Sequence, residues 1–247
     1  MSGSFAPGQG LIHFDRVTLR EVDFRKATFE DLAPFGCVFE RCDFRETIFD
    51  RRLLPLFAAR PRSVFRECRF DGADLRRVPP GQSRFERCSF DGALLDEWTA
   101  TAAEFIECHF SGLLSGVVFH GKPWGREADL LDPPRAVNEF RGNDFRSADL
   151  VECAFIRGIA LDEQLWPEDQ DHRYVRLDRF QQRLTRGRAE ILSWTDLIAR
   201  GQALDLIQAA SFLYREQNSV IARRAEERSP IPVEVQRRVW DVLAAVL

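Results

Sequence analysis

The sequence predicts an all-β solenoid of about six four-sided coils followed by an α-helical domain. Two nested periods predict the solenoid, and the loss of both predicts the helices. Bulky apolar residues recur every five positions at Phe14, Leu19, Phe24, Phe29, Phe39, Phe44 and Phe49, with Pro34 filling the missing step. Cys68, Cys88 and Cys108 are 20 residues apart. A period of five fits neither the 3.6 of a helix nor the 2 of a strand. It fits a coil whose sides are five residues long, and four such sides make 20.

Composition bounds the reading. The chain has 247 residues, a net charge of −4, 45% hydrophobic and 30% charged residues, which is a folding composition for one large domain or two modest ones. It holds 21 Phe against 2 Tyr and 1 Met, so one apolar shape is demanded repeatedly. The mild negative charge excludes a strongly basic nucleic-acid binder. No apolar run of about 18 residues is present, which excludes a complete transmembrane helix. The start, MSGSFAPGQG, lacks the features of a signal peptide, so a cytoplasmic location is expected.

The period resumes after interruptions at Phe65, Phe70 and Leu75, at Phe85, Phe90 and Leu95, at Phe105 and Phe110, and at Phe140, Phe145, Leu150 and Phe155. Two residues before each centre stands a smaller residue, and Cys37, Cys42, Cys68, Cys88, Cys108 and Cys153 all occupy that position. Strand-like alternation turns both positions inward. The cysteines are therefore expected to pack as compact hydrophobes, since neither their spacing nor that of the histidines gives a zinc site. Asn143, inward in the last coil, is expected to hydrogen-bond to backbone.

A small residue, a polar one, Leu or Phe, then two polar ones, as in FERCSFDGALL (85–95), resembles the pentapeptide-repeat family over about residues 11–161. The resemblance implies a right-handed quadrilateral β-helix. It also implies a non-enzymatic protein-interaction scaffold, because some members protect DNA gyrase from inhibitors and some resemble the acidic outline of B-DNA.

Aligned in register, one side of the coil stacks Leu19, Phe39, Phe65, Phe85, Phe105 and Phe140, and the next stacks Phe24, Phe44, Phe70, Phe90, Phe110 and Phe145. The third runs Phe29, Phe49, Leu75, Leu95, Ser115 and Leu150. The expected structural core is thus Phe24, Phe44, Phe70, Phe90, Phe110 and Phe145 with Cys42, Cys68, Cys88 and Cys108. The fourth side is irregular and releases two insertions, near 50–62 and 116–137. Loops on a rigid scaffold are where binding usually lies, so Leu54, Leu56 and Phe57 of the first and Lys122, Trp124 and Arg126 of the second are candidate partner contacts.

Residues 1–161 carry 22 basic and 25 acidic side chains. On the first side the post-centre pairs read Arg20-Glu21, Glu40-Arg41, Arg66-Glu67 and Glu86-Arg87, so signs alternate along the stack and cancel at long range. That weakens DNA mimicry and leaves gyrase binding through the loops open.

Residues 1–10 are expected to be a tail and 162–247 a helical domain or cap. Helices are expected over about 172–199, 202–228 and from 233, with a break at Gly201 and another at SPIP (229–232). AASFLYREQNSVIARR (209–224) resembles a helix that follows the repeats in some bacterial proteins, where a membrane segment can come next. The apolar ending VWDVLAAVL, with Trp240 and Leu243, reads as a docked helix, a homodimer seam or a chain that continues. A helical cap over the last open coil is expected.

No P-loop, GxGxxG, GxSxG or HExxH is present. The expectation is no enzyme, no metal and no cofactor, with an unidentified protein partner of which gyrase is one. The alternative reading is the soluble cytosolic portion of a membrane-associated or signalling assembly, joined through the helical domain.

Overall fold

In the computed structural model, residues 12–29, 32–49, 59–76, 78–168 and 172–247 are described. The chain divides into two compact units: Met1–Cys153 with Asp162–Pro167, and Ala154–Leu161 with Glu168–Leu247.

The first unit is built on parallel strands. Thr18–Arg20, Val38–Glu40, Val64–Arg66, Arg84–Glu86, Glu104–Ile106 and Phe140–Arg141 form a six-stranded parallel sheet. Its register aligns Leu19, Phe39, Phe65, Phe85, Phe105 and Phe140. Ser89–Asp91, His109–Ser115 and Asp144–Val151 form a second sheet, and Thr28–Phe29 with Ile48–Phe49 and Ile12–Asp15 with Leu32–Phe35 form two-stranded ones.

The fold class read from the sequence is corrected here. A single continuous all-β solenoid with a purely helical appendix is not what the chain forms. Among the described residues the strands separate into six sheets of two to six strands, one of them antiparallel and in the second unit, alongside three α-helices. On the second side some of the pairing is by isolated bridges running through Asp23, Asp43, Arg69 and Ser89 rather than by extended strands, and the second sheet contains a register shift. The shift lies between His109 and Ser111, and it aligns Leu114, not Ser115, with Leu150. The second insertion also begins later than predicted, because Val118–His120 is a strand paired with Thr99–Ala100 and Phe119 is buried.

The core of this unit is aromatic. Strands lie about 4.8 Å apart across a ladder, close to the separation of offset-stacked rings. Phe24, Phe44, Phe70, Phe90, Phe110 and Phe145 accordingly stack at 4.6, 4.9, 5.1, 5.0 and 4.7 Å between centroids, with ring planes 5–10° apart. The neighbouring column, Phe39, Phe65, Phe85 and Phe105, stacks at 4.7–5.2 Å. It stops at Phe140, which meets Phe105 edge-on at 70° because Phe119 inserts its ring against both. Each buried Phe contributes about 1.5–3 kcal/mol by area, and ring contacts add about 0.5–1.5 kcal/mol.

The small inward positions do more than fill space. Cys42, Cys68, Cys88 and Cys108 point their Sγ atoms at the carbonyls of Leu19, Phe39, Phe65 and Phe85, at 3.3–3.6 Å. Asn143 Nδ2 donates to Phe105 O at 2.9 Å and Gln164 Nε2 to Phe140 O at 3.0 Å. Thr47 Oγ1 does the same for Phe24 O at 3.1 Å. The position therefore selects small donors that reach a carbonyl 23–38 residues earlier, one level back in the strand stack. Burial pushes the Cys37 and Cys88 thiols up, which keeps them protonated as donors.

The open end of this unit is closed by Asp162–Pro167, not by a long helix. Gly142 N donates to Glu163 O at 2.8 Å, Phe145 N to Leu165 O at 2.7 Å, and Leu165 N to Asn143 O at 2.9 Å. Trp166 stacks on Phe145 at 5.2 Å and 9°, ending the ring column.

The second unit is not all helical. Tyr174–Leu177 pairs antiparallel with Val220–Arg223. The helices are α1 (Phe180–Ile191), α2 (Leu197–Leu213) and α3 (Val233–Ala245). The predicted 172–199 and 202–228 helices are thus each shortened by a strand. Gly201 lies inside α2, whose start is fixed by Asp196 accepting from Ile198 N and Ala199 N at 2.9 and 3.0 Å. Helices α1 and α3 pack closely at Gly187, where a Cβ would lie 2.7 Å from Leu243 Cδ2. Arg183 of α1 satisfies the end of α3 by donating to Leu243 O and Ala244 O at 2.9 and 3.0 Å. Phe180 packs edge-on against Tyr214 and stacks with Trp240.

Phe90 is fully buried and stacked on both sides, so Phe90→Ala is expected to cost about 3–5 kcal/mol in urea denaturation, as for other large core truncations. A change below about 1 kcal/mol would remove the ring column as the main source of stability.

Candidate interaction site at the insertions

The first insertion returns to the first unit through Arg62, and the second through Asp132, Arg135, Asn138 and Glu139. Arg62, Arg135 and Glu139 of these meet at Glu104, at the start of its strand and 4% exposed. A buried carboxylate needs paired cations and donors. Arg62 Nη1 bonds Glu104 Oε2, Arg84 Nη1 reaches the same oxygen at 3.2 Å, and Arg135 Nε lies 3.6 Å from Oε1. Glu139 N donates to Oε1 at 3.2 Å, and Arg84 Nη1 also pairs with Glu139 at 2.7 Å. Burial, opposed by Glu104 and reinforced by the charges of Arg62 and Arg84, draws the Arg135 guanidinium below its ordinary value.

Backbone ties complete the anchor. Arg62 N donates to Asp132 O at 2.8 Å, which joins the two insertions directly. Gln82, buried, receives Asp132 N at 2.9 Å and donates to Ala59 O at 2.8 Å. Asn138 Nδ2 donates to Thr101 O and His120 O at 3.1 and 2.9 Å. Both insertions are therefore fastened at their bases to one side of the strand stack.

Beyond that base the second insertion is open to solvent. Trp124 is 49% exposed, Lys122 and Arg126 flank it exposed, and Leu130 is exposed at the end of a short 3-10 turn, Gly125–Leu130. The structure thus presents Lys122, Trp124 and Arg126 together on one anchored loop. Leu54, Leu56 and Phe57 lie outside the described residues. Trp240 and Leu243 are buried in the second unit, so they build its core rather than a partner surface or a dimer seam, because α3 turns its apolar face onto α1. The Glu104 cluster was not anticipated. Its signal was present in the position before each first-side centre, where Thr18, Val38 and Val64 give way to Arg84, Glu104 and Glu139.

The outer faces are paired. Arg20–Glu40 and Arg66–Glu86 close at 2.7 and 2.8 Å, and Arg41–Glu21 and Arg87–Glu67 at 2.9 and 3.1 Å. On the second side, Asp23–Arg25 and Asp43–Arg45 pair within one repeat at 2.6 Å. Such exposed pairs contribute about 0–1 kcal/mol each and leave no uncancelled acidic rail on these two sides among the described residues.

One ladder places Ser89, His109 and Asp144 side by side. His109 Nδ1 lies 3.7 Å from Asp144 Oδ2, while Arg146 holds the same carboxylate at 2.7 Å and, with His109, lowers its pKa to about 2. The Ser89 hydroxyl is buried with no hydrogen-bond partner among the described residues. A nucleophile needs its base within hydrogen-bond reach, and this serine has none. Among the described residues no cluster of His, Cys, Asp or Glu could hold a metal ion, and no helix is long and apolar enough to cross a membrane.

No family model and no curated protein matches this chain. Among solved structures it is similar to a trypsin-treated variant of QnrB1, a plasmid-mediated fluoroquinolone resistance protein. The identity is 14% over 68% of this chain and 90% of that one, with a TM-score of 0.33. A second trypsin-treated variant gives 15%, 68%, 88% and 0.24, and full-length QnrB1 gives 15%, 68%, 91% and 0.20.

Glu104→Gln is expected to free the insertions without collapsing the strand stack. Limited proteolysis should cut within 121–137 at least several-fold faster, with the urea midpoint lowered by a smaller degree than for Phe90→Ala. Unchanged proteolysis would show that the charge cluster does not fasten the loops.

Proposed function

We propose that the protein is a non-enzymatic protein-binding scaffold whose partner contact is the second insertion. The observation that carries this reading is an exposed Trp124, flanked by exposed Lys122 and Arg126, on a loop whose base is fastened by Asn138 and the Glu104 cluster. Aromatic and arginine side chains on a preorganised loop are typical anchors of protein interfaces. The interior supports the same reading, since stacked rings occupy the space a substrate would need.

The partner to test first is DNA gyrase, because the five-residue repeat resembles a family in which some members protect that enzyme. Outer charges paired along two sides favour a contact made by loops over one made by a DNA-like surface. Gyrase supercoiling in the presence of a fluoroquinolone should be restored by the protein, and the restoration should fall at least tenfold in a Trp124→Ala, Arg126→Ala double variant that melts normally. No binding and no restoration would remove gyrase as the partner. Restoration unaffected by the double variant would move the contact away from the second insertion.

A further inference from the structure

The third side of the first unit turns an apolar strip outward. Its inward residues Phe29, Phe49, Leu75, Leu95 and Leu114 are buried, so the residue before each one faces out. Pairing places Thr28, Ile48, Asp74 and Leu94 in one ladder. Leu113 continues it, because the corners on either side stack on those beside Leu94. A Cβ on Gly112 would lie 3.3 Å from Gly92 Cα, and one on Gly116 3.7 Å from Glu97 Cα. Ile48, Leu94 and Leu113 are 52%, 42% and 57% exposed. The equivalent positions of the second side, Asp23, Asp43, Arg69, Ser89, His109 and Asp144, are all polar.

One flank of the strip is cleared by glycine. The corner that leads into this side carries Lys26 and Glu46 in two coils, then Gly72, Gly92 and Gly112 in the next three. Lys26 and Glu46 hold φ of 57° and 56° there, close to the 65° and 59° of Gly72 and Gly92. The turn alone therefore does not demand glycine. A Cβ on Gly92 would meet nothing within 4 Å, so its absence serves no packing inside the chain. It leaves the backbone beside Leu94 open to close approach.

The rim of the strip is acidic. Asp91 and Glu97 are exposed and Asp96 is half-buried. Asp74, within the strip, is already held by Arg76 at 2.8 Å. Asp91 accepts from the Ser111 hydroxyl, and among the described residues no cation closes an ion pair with Asp91, Asp96 or Glu97. Carboxylates therefore stand on both flanks of Leu94, Asp91 on the glycine flank and Asp96 with Glu97 on the other.

We propose that this strip is a docking surface for a basic amphipathic helix of a partner protein, laid along the stack. Leu94 and Leu113 are one level apart, about 4.8 Å, close to the roughly 5.4 Å of a helical turn. Apolar residues at i and i+3 or i+4 of such a helix meet both. Ile48, two levels beyond Leu94, meets a further apolar residue on the same face. Lysines or arginines beside that face reach Asp91 on one flank and Asp96 and Glu97 on the other. The same carboxylates repel an anionic bilayer or a nucleic acid, so charge selects a cationic occupant. The contact uses neither Trp124 nor the second insertion.

The probe is a synthetic leucine–lysine peptide of about five helical turns, its leucines on one face, titrated calorimetrically into the full chain. Saturable one-to-one binding is expected. A Leu94→Ser, Leu113→Ser double variant should weaken it at least tenfold, and so should Gly92→Lys. An Asp96→Asn, Glu97→Gln double variant should weaken it several-fold. Leu94, Leu113 and Gly92 are exposed, so thermal melts should match the parent; if Gly92→Lys melts early, the leucine double variant carries the test. The Trp124→Ala, Arg126→Ala variant should bind the peptide as the parent does. Absence of binding would overturn the proposal. So would equal binding of a peptide of the same composition with its leucines scattered around the helix, or binding indifferent to the leucine variant. Loss of binding in the Trp124 variant would overturn it too, by placing the peptide on the second insertion. The gyrase measurement bears on that insertion alone, so the two readings fail separately.

Discussion

The separation of parallel strands in a ladder and the separation of stacked aromatic rings nearly coincide, and the first unit depends on that coincidence. A Phe placed once per repeat on the inward side of a strand lies in van der Waals contact with the Phe of the next strand. Six such rings run from Phe24 to Phe145 within 10° of parallel, and Trp166 ends the series. Tyr would bring a hydroxyl into this column with nothing to satisfy it, and Met would not hold a plane. The small residue beside each ring then has to serve the backbone, and Cys, Thr and Asn do so by donating to a carbonyl one level earlier in the strand stack.

The same constraint shows how the scaffold accommodates irregularity. A column of rings tolerates an insertion only where the chain leaves and returns at one place. Both insertions do this, and the cost of joining them to the stack is met by a buried carboxylate surrounded by three arginines. Breaking one partner of such a cluster leaves uncompensated charge, so Glu104 links the fold to the loop that bears Trp124. Where a ring column cannot continue, as at Phe105, another aromatic fills the gap edge-on rather than leaving a cavity.

Much of the inward register was legible because it is local and repeated: Phe24 through Phe145 and the stacked cysteines follow from spacing alone. The class of fold was not, since strand pairing depends on where ladders break. The one-residue shift that puts Leu114 beside Leu150 and the strand at Val118–His120 have no signature in a five-residue count. In the last third, Tyr174–Leu177 and Val220–Arg223 are too short and too distant in sequence for periodicity to separate them from helix. Trp240 and Leu243 read either as a docked helix or as a partner surface because an apolar stripe looks the same whether it meets its own chain or another. Only the packing of α3 on α1 at Gly187 decides between them.

The central claim is that the ring column makes the first unit one cooperative body. Native-state hydrogen exchange under increasing urea reads this directly at the amides of Phe24, Phe44, Phe70 and Phe145, each bonded to a carbonyl of the next repeat or the closing segment at 2.7–2.8 Å. The account predicts that all four exchange only through a shared opening, with one free energy and one urea dependence. Separate, stepwise openings, with the Phe24 amide exchanging at far lower free energy than the Phe70 amide, would contradict it.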